Sequence, residues 1–182
     1  LSSRRVPLQS LTSQNGASKP AIAIIIEEML AAGIEQIGLV VSPADRPLFE
    51  SGLSPYAKAM VTIEQPVANG YGHAVLYGRG FVGSEPFLLQ VSDHLYVSAA
   101  EKSCTRQLLD LAEAEGCSVS AVQATHERHL QSYGTVAGSL LAGRQGLYQI
   151  ENVIEKPTPT VAEQQCLVPG LRSGHYLCFF GM

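Results

Sequence analysis

The chain has 182 residues, of which 46% are hydrophobic and 15% are charged, so it can bury a substantial core and its length predicts one globular domain. The formal net charge of -4 and the scattered basic residues exclude bulk nucleic acid as a partner but are compatible with a nucleotide monomer. The longest apolar run, residues 21–26, is too short to cross a bilayer and no export leader is visible, so the sequence predicts no membrane partner.

The cysteines form no CxxC pair and lie in segments with helix or strand patterns, which is typical of reduced, buried thiols and not of a disulfide framework or zinc site. They are Cys104, Cys117, Cys166 and Cys178. A cytoplasmic location is therefore expected. Because the chain begins at Leu1 and ends at Met182 directly after a strand-like run, we expect one domain over residues 1–182 that is incomplete at both ends.

Helical and strand patterns alternate along the first two thirds of the chain. Helices are predicted at residues 20–32, with Pro20 at the first helical position, and at 45–50, 73–77 and 100–115; strands are predicted at 36–41, 61–64, 87–91 and 118–124. The strands at 37–41 and 87–91 are almost continuously apolar, as in a parallel sheet that is covered on both faces. This alternation predicts βα units.

The pattern changes after residue 133, where two strands at 134–137 and 147–154 are joined by a loop and a final strand lies near residue 176. The fold class predicted is therefore α/β. It is a Rossmann-like, mixed but mostly parallel sheet with helices on both faces and a small antiparallel appendage.

The segment at residues 64–74, E-Q-P-V-A-N-G-Y-G-H-A, combines a strand end, a glycine-rich bend and a helix start around one amide side chain. Gly70 and Gly72 remove the side chains that would keep a base or phosphate from the backbone. Gln65 offers a donor and an acceptor on one planar group, which suits the edge of a pyrimidine. The pattern indicates a nucleotide pocket, although a strand-to-helix turn with glycines for geometry alone explains it as well.

Two further sites follow predicted strands, where open α/β sheets bind their ligands. Asp93 ends the strand at 87–91, and one carboxylate is sufficient for a partial magnesium site on bound phosphates, although a turn or helix cap uses the same residue. Glu155 and Lys156 end the strand at 147–154. They suit sugar hydroxyls and a phosphate, or simply an exposed, solvated surface.

Two other patterns do not qualify as sites. The sequence at residues 78–83 matches GxGxxG but follows a helix and precedes a strand, the reverse of the dinucleotide-binding context, so we interpret it as a loop that ends a helix. His126 and His129 are three residues apart and not four, which misplaces the glutamate of an HExxH zinc motif and favours a solvated loop.

The order of these motifs resembles the sugar-1-phosphate nucleotidylyltransferase family, and within it the bacterial UTP-glucose-1-phosphate uridylyltransferase type. The resemblance covers most of the chain. Its elements are Lys19-Pro20 with Ala31-Ala32-Gly33-Ile34, Gln65 with Gly70-Tyr71-Gly72-His73-Ala74, Ser92-Asp93, Tyr133-Gly134-Thr135-Val136, Val153 to Pro157, and Gly174-His175-Tyr176.

The resemblance implies a role for each candidate residue. Nucleotide-binding residues would be Gln65, Gly70, Gly72 and His73, with Gln65 and the Gly70 amide contacting uracil or thymine. Asp93 would bind Mg2+ as a catalytic metal ligand. Sugar-binding residues would be Tyr133, Gly134, Glu155 and Lys156, with Lys156 also catalytic through its grip on the sugar phosphate.

The implied reaction is attack by a hexose 1-phosphate, most simply glucose 1-phosphate, on the α-phosphorus of UTP or dTTP, with release of pyrophosphate. In such a reaction the protein aligns the substrates and neutralises their charge, and it supplies no covalent nucleophile. The substrates are the partners implied, while the sequence leaves open which base and sugar are used and whether the chain forms a homo-oligomer.

Three departures from the family pattern matter. The glycine-rich signature loop is absent before Lys19, and Pro7-Leu8 stands where a proline and a phosphate-gripping lysine are expected, with Arg4-Arg5 the only nearby cations. A second metal-binding aspartate would lie past Met182. These departures indicate a fragment or a member that has lost catalysis, so the alternatives are a non-catalytic sugar-nucleotide sensor or an unrelated α/β binding domain that is similar only in architecture.

Overall fold

The computed structural model describes residues 3–12 and 16–182, and these divide into two compact units between residues 111 and 112. The α-helices are α1 (Ala21–Ala31), α2 (Arg46–Gly52), α3 (Tyr71–Tyr77), α4 (Arg79–Val82), α5 (Cys104–Glu115) and α6 (Pro159–Gln165). The strands are β1 (Ser10–Thr12), β2 (Ser18–Pro20), β3 (Ile37–Val41), β4 (Met60–Glu64), β5 (Val122–His126), β6 (Gly134–Leu140), β7 (Tyr148–Glu155) and β8 (His175–Phe179). Short 3-10 helices span Ser3–Leu8, Ser54–Tyr56 and Glu127–Ser132.

The first unit is built on the parallel pair β3–β4, in which Ile37 lies opposite Met60 and Val41 opposite Glu64. Helix α1 buries Ile22, Ile25 and Ile26. The core of this unit consists of Ile22, Ala23, Ile26, Ile37, Val41, Phe49 and Leu53. Pro20 precedes the first turn of α1 and is not its first residue, and the helix ends before Gly33, whose φ of +96° suits glycine.

The strand predicted at residues 87–91 is wrong, because the segment has no regular secondary structure and leaves Phe87 56% exposed. An apolar run becomes a strand only when another strand pairs with it, and in the part of the chain that the structure describes β3 and β4 pair only with each other. The preceding Pro86 also lacks an N–H that could enter a ladder.

The second unit is an antiparallel sheet with the order β5-β8-β6-β7, which confirms the appendage and the mixed α/β class. A bulge between Ala137 and Gly138 shifts the β6–β7 register, and a Cβ at Gly138 would collide with the Gln149 carbonyl. Helix α6 was not predicted. Its start is set by Pro159 at the first position and by Thr158, whose hydroxyl accepts from the Val161 amide at 3.3 Å.

Other boundaries moved by a few residues. Helix α5 begins at Cys104 instead of residue 100, and β5 begins at Val122 instead of residue 118. The GxGxxG segment contains the single-turn helix α4 and the HExxH-like segment a 3-10 helix, so neither is a plain loop. None of the helices that the structure describes is long and apolar enough to cross a membrane.

Candidate functional site

The glycine-rich bend starts where β4 ends. The backbone N–H of Gln65 donates to the Val41 carbonyl at 2.8 Å. This hydrogen bond fixes Gln65 at the carboxyl end of the parallel pair. Gly70, with φ at +92°, lies immediately before α3, and the helix begins at Tyr71, two residues earlier than predicted. The left-handed backbone at residue 70 accounts for glycine there on geometry alone.

The side chains of Gln65 and His73 meet within this bend. Gln65 Nε2 lies 3.2 Å from His73 Nδ1, and the same ring nitrogen lies 3.2 Å from the Val67 carbonyl oxygen. The His73 ring also packs edge-on against Tyr77, with ring centroids 5.0 Å apart. The two polar groups that the sequence assigned to nucleotide binding therefore form one hydrogen-bonded unit.

The space in front of both glycines is open. A Cβ built at Gly70 or at Gly72 would meet nothing within 4 Å, and both residues are exposed. Gly72 does not have a left-handed φ, so its backbone conformation does not require glycine. A flat base or a phosphate can thus approach the backbone here.

Asp93 is exposed in the irregular segment that follows residue 87. The pKa of Tyr96 is raised to about 12, first by burial, then by the charge of Asp93 and next by Tyr71. Tyr71 is the first residue of α3 and directly follows Gly70. The pKa of Tyr96 is therefore affected both by the Asp93 carboxylate and by a residue of the glycine-rich bend. Tyr96 was missed by sequence reasoning, since a single tyrosine in an irregular segment has no periodicity or motif.

Residues 3–12 and 16–182 contain no group of three or more His, Cys, Asp or Glu side chains that could hold a metal ion. A dedicated protein cage is therefore not formed in this part of the chain. One exposed carboxylate at Asp93 nevertheless fits a hard divalent ion that is held mainly by substrate phosphates and water.

The sugar-side candidates meet in the second unit. Gly134 pairs with Glu155 across β6 and β7, and a Cβ at Gly134 would lie 3.2 Å from Glu155 Oε2 and 3.2 Å from the Phe179 ring. A side chain at residue 134 would therefore require that carboxylate and that ring to shift by a few tenths of an ångström. Tyr133 stacks on Phe180 with centroids 5.4 Å apart and an interplanar angle of 20°.

Lys156 has φ at +47°, and among the described residues it is the one non-glycine residue with a positive φ. Its amide donates to the Tyr133 carbonyl at 3.2 Å, and its Nζ lies 3.3 Å from Glu155 Oε1. Both side chains are mainly exposed, at 56% and 73%. A strained backbone at a strand end is typical of functional positions.

The departure at residue 8 has a structural counterpart. Pro7 is buried, and Leu8 packs against the core of the first unit, where its methyl group would lie 3.4 Å from a Cβ at Gly52. The side chain that replaces the expected lysine is thus part of the hydrophobic packing. The side chains of Arg4 and Arg5 lie outside the described residues.

The chain belongs to the nucleotidyl transferase family, whose model matches residues 3–177. Among its curated relatives, the UTP-glucose-1-phosphate uridylyltransferase of Pseudomonas aeruginosa is 27% identical over 84% of this chain and 62% of the relative. The enzyme of the same name from Streptococcus pneumoniae is 32% identical over 84% of this chain and 58% of the relative. The family match excludes the alternative of an unrelated α/β binding domain that is similar only in architecture.

Solved structures agree with this assignment. A UDP-glucose pyrophosphorylase complexed with UDP-glucose matches 90% of this chain and 62% of its own length, with a TM-score of 0.72 and 26% identity. A UTP-bound UGPase from Acinetobacter baumannii, at 20% identity and a TM-score of 0.62, shares the fold. The chain thus spans about 60% of the length of the proteins it matches.

Proposed function

We propose that this chain carries the nucleotide-binding and sugar-binding parts of a uridylyltransferase that joins UTP and glucose 1-phosphate into UDP-glucose and pyrophosphate. The observation that carries the proposal is the linked Gln65–His73 pair beside two unobstructed glycines, in a member of the nucleotidyl transferase family. Curated relatives with the uridylyltransferase name support UTP over dTTP.

Gln65 is proposed to bind the base. The Gln65 side chain is half-buried directly after β4 and is hydrogen-bonded to His73. The binding of a base therefore costs little further side-chain entropy. The open backbone at Gly70 and Gly72 admits the flat ring, and the Gly70 amide is proposed to contact the base as well.

Glu155 and Lys156 are proposed to bind the sugar phosphate. Their mutual ion pair is exposed and therefore weak, so Lys156 can exchange Glu155 for a phosphate at small cost. Glu155 then accepts hydrogen bonds from sugar hydroxyls, and Gly134 keeps the place of its carboxylate free. Tyr133 is proposed to line the same site.

In the proposed reaction an oxygen of the sugar phosphate attacks the α-phosphorus of UTP, and pyrophosphate leaves in line with it. The chain's own residues align the two substrates and offset their charge; none of them forms a covalent bond. Mg2+ bound at Asp93 would neutralise negative charge on the triphosphate.

A pyrophosphate-release assay with UTP, glucose 1-phosphate and magnesium tests the proposal. Asp93→Ala should abolish magnesium-dependent turnover while the circular dichroism spectrum is unchanged, because an exposed carboxylate contributes little to the core. Glu85→Ala, which removes another exposed carboxylate of the same unit, is the control and should keep full turnover. Turnover that survives in Asp93→Ala would contradict this role.

A second candidate is a non-catalytic sugar-nucleotide sensor. Leu8 favours it, since that side chain packs against the core where the family resemblance leads one to expect a phosphate-gripping lysine. A sensor would bind UDP-glucose but release no pyrophosphate. For either candidate we propose a reducing, cytoplasmic location, which agrees with four free cysteines of which two are fully buried.

A further inference from the structure

His73 Nδ1 lies 3.2 Å from two groups with opposite requirements. Gln65 Nε2 can only donate a hydrogen bond, whereas the Val67 carbonyl oxygen can only accept one. One ring nitrogen cannot accept from the first and donate to the second at the same time. The structure places Nε2, and not Oε1, against Nδ1, which is the arrangement of the tautomer whose Nδ1 carries no proton and accepts from Gln65. In the other tautomer Nδ1 would donate to Val67, and Gln65 would have to turn Oε1 toward the ring.

The orientation of the Gln65 amide matters because it determines which base the amide can bind. Uracil offers a donor at N3 and an acceptor at O4, while cytosine offers an acceptor at N3 and a donor at N4. An amide matches either base, but it needs opposite orientations for the two. A glutamine that could rotate freely would therefore discriminate poorly between them.

We propose that His73 is a positioning residue that holds the Gln65 amide in one orientation and so makes the bend prefer uridine over cytidine nucleotides. With Nε2 held by the ring, Oε1 faces away from His73 and accepts from N3–H of uracil. Cytosine would bring its N3 lone pair against that oxygen. The inference rests on the proposed function, because it assumes that Gln65 contacts the base.

The ring is held in place for this role by its own neighbours. The edge contact with Tyr77 and the position of His73 in the first turns of α3 restrict how the imidazole can turn. The pair is half-buried, so water competes less effectively for the amide than it would at an exposed site.

Calorimetric titration with UTP and with CTP tests the inference on the wild-type chain, His73→Phe and His73→Asn. His73→Phe keeps an aromatic ring beside Tyr77 but has no Nδ1, so the ratio of CTP to UTP dissociation constants should fall about tenfold. His73→Asn places an amide oxygen near the Nδ1 position and should retain most of the preference. If His73→Phe does not fold, His73→Gln, whose amide extends past that position, replaces it and should also lose the preference.

The outcomes separate the inference from the proposed function. A wild-type chain that is folded and binds neither nucleotide contradicts both. UTP binding that is lost in Gln65→Ala, together with an unchanged UTP preference in His73→Phe, overturns the role of His73 and leaves the proposed function standing. A reduced preference in His73→Phe that His73→Asn restores supports the inference.

Discussion

Gly70 and Gly72 differ in the reason that each is glycine. Gly70 has φ at +92°, where a side chain is strained, whereas Gly72 does not have a left-handed φ. Gly70→Ala should therefore lower the free energy of unfolding by about 1–3 kcal/mol, because a φ of +92° with a ψ of 176° is almost confined to glycine. Gly72→Ala, in the first turn of α3, should leave it unchanged or raise it.

Urea denaturation of the two variants measures this difference. Equal destabilisation by both would show that the strain assigned to residue 70 is wrong. The same variants also separate geometry from binding, because a loss of UTP affinity in Gly72→Ala without a loss of stability indicates that a ligand approaches the backbone there.

Lys156 is expected to act on one substrate only. Its Nζ has Glu155 as its ion-pair partner and a mainly exposed side chain, so Lys156→Ala should raise the KM for glucose 1-phosphate much more than the KM for UTP. Lys58→Ala, another exposed lysine, serves as the control. Initial-rate measurements that show equal losses for both substrates would count against this assignment.

Tyr96 provides a pH-dependent test of where Asp93 lies. The pKa of Tyr96 is raised by burial first and then by Asp93, from an ordinary 10.0 to about 12. A raised folded-state pKa contributes stability that is fully present below pH 10 and is lost as the pH rises through about 12. Asp93→Asn should lower the pKa of Tyr96 but leave it above its ordinary value, because burial is the larger cause.

Alkaline titration followed by near-ultraviolet absorbance measures this change, with Tyr96→Phe identifying the contribution of that tyrosine. Glu85→Gln removes a charge of the same unit that is not among those acting on Tyr96, and it should leave the titration unaltered. An unaltered titration in Asp93→Asn would place its carboxylate away from Tyr96.

Helices α1 and α5 hold each other at their ends. Glu28 Oε1 accepts from the Thr105 amide at 3.1 Å and from its hydroxyl at 3.0 Å, and so satisfies an amide in the first turn of α5. In return, Arg106 Nη1 donates to the Ala32 carbonyl at the end of α1, at 2.9 Å. A side chain on one helix therefore caps another helix that lies far along the chain.

Glu28→Ala should lower the free energy of unfolding by about 1–3 kcal/mol, because it leaves the polar groups of the fully buried Thr105 without this acceptor. Glu50→Ala breaks an exposed ion pair with Arg46 and should have a much smaller effect. Urea unfolding of both variants measures the difference. A Glu28 variant that is no less stable than the Glu50 variant would show that the contacts of Glu28 with Thr105 do not stabilise the fold.

The secondary structure could be predicted where local chemistry decides it. Helix α1 and strands β3 and β4 followed from apolar runs between turn residues, and the β6–β7 pair followed from strand patterns across a glycine-rich loop. The run at residues 87–91 was mispredicted because pairing depends on a neighbouring strand, which composition does not reveal. The cap on α5 was equally invisible, since its partner is 77 residues away.

On the scale of the whole molecule, the chain divides into two compact units, and one incomplete domain over residues 1–182 stays a prediction. The division lies inside α5 and no change of composition marks it. The candidate site residues follow the same division: Gln65, His73 and Asp93 lie in the first unit, and Gly134, Glu155 and Lys156 in the second. Motif order identified these residues, while their hydrogen-bond partners and the contribution of Tyr96 required the structure.

We expect this chain to bind a uridine sugar nucleotide, with Gln65 contacting the base and Lys156 the sugar phosphate. Calorimetric titration of the chain with UDP-glucose in the presence of magnesium tests it most directly, with Gln65→Ala and Lys156→Ala measured alongside. We expect saturable binding by the wild-type chain and weaker binding after each substitution. A folded chain that does not bind UDP-glucose, or that binds it equally well without Gln65 and Lys156, would show that these residues do not form a uridine sugar nucleotide site.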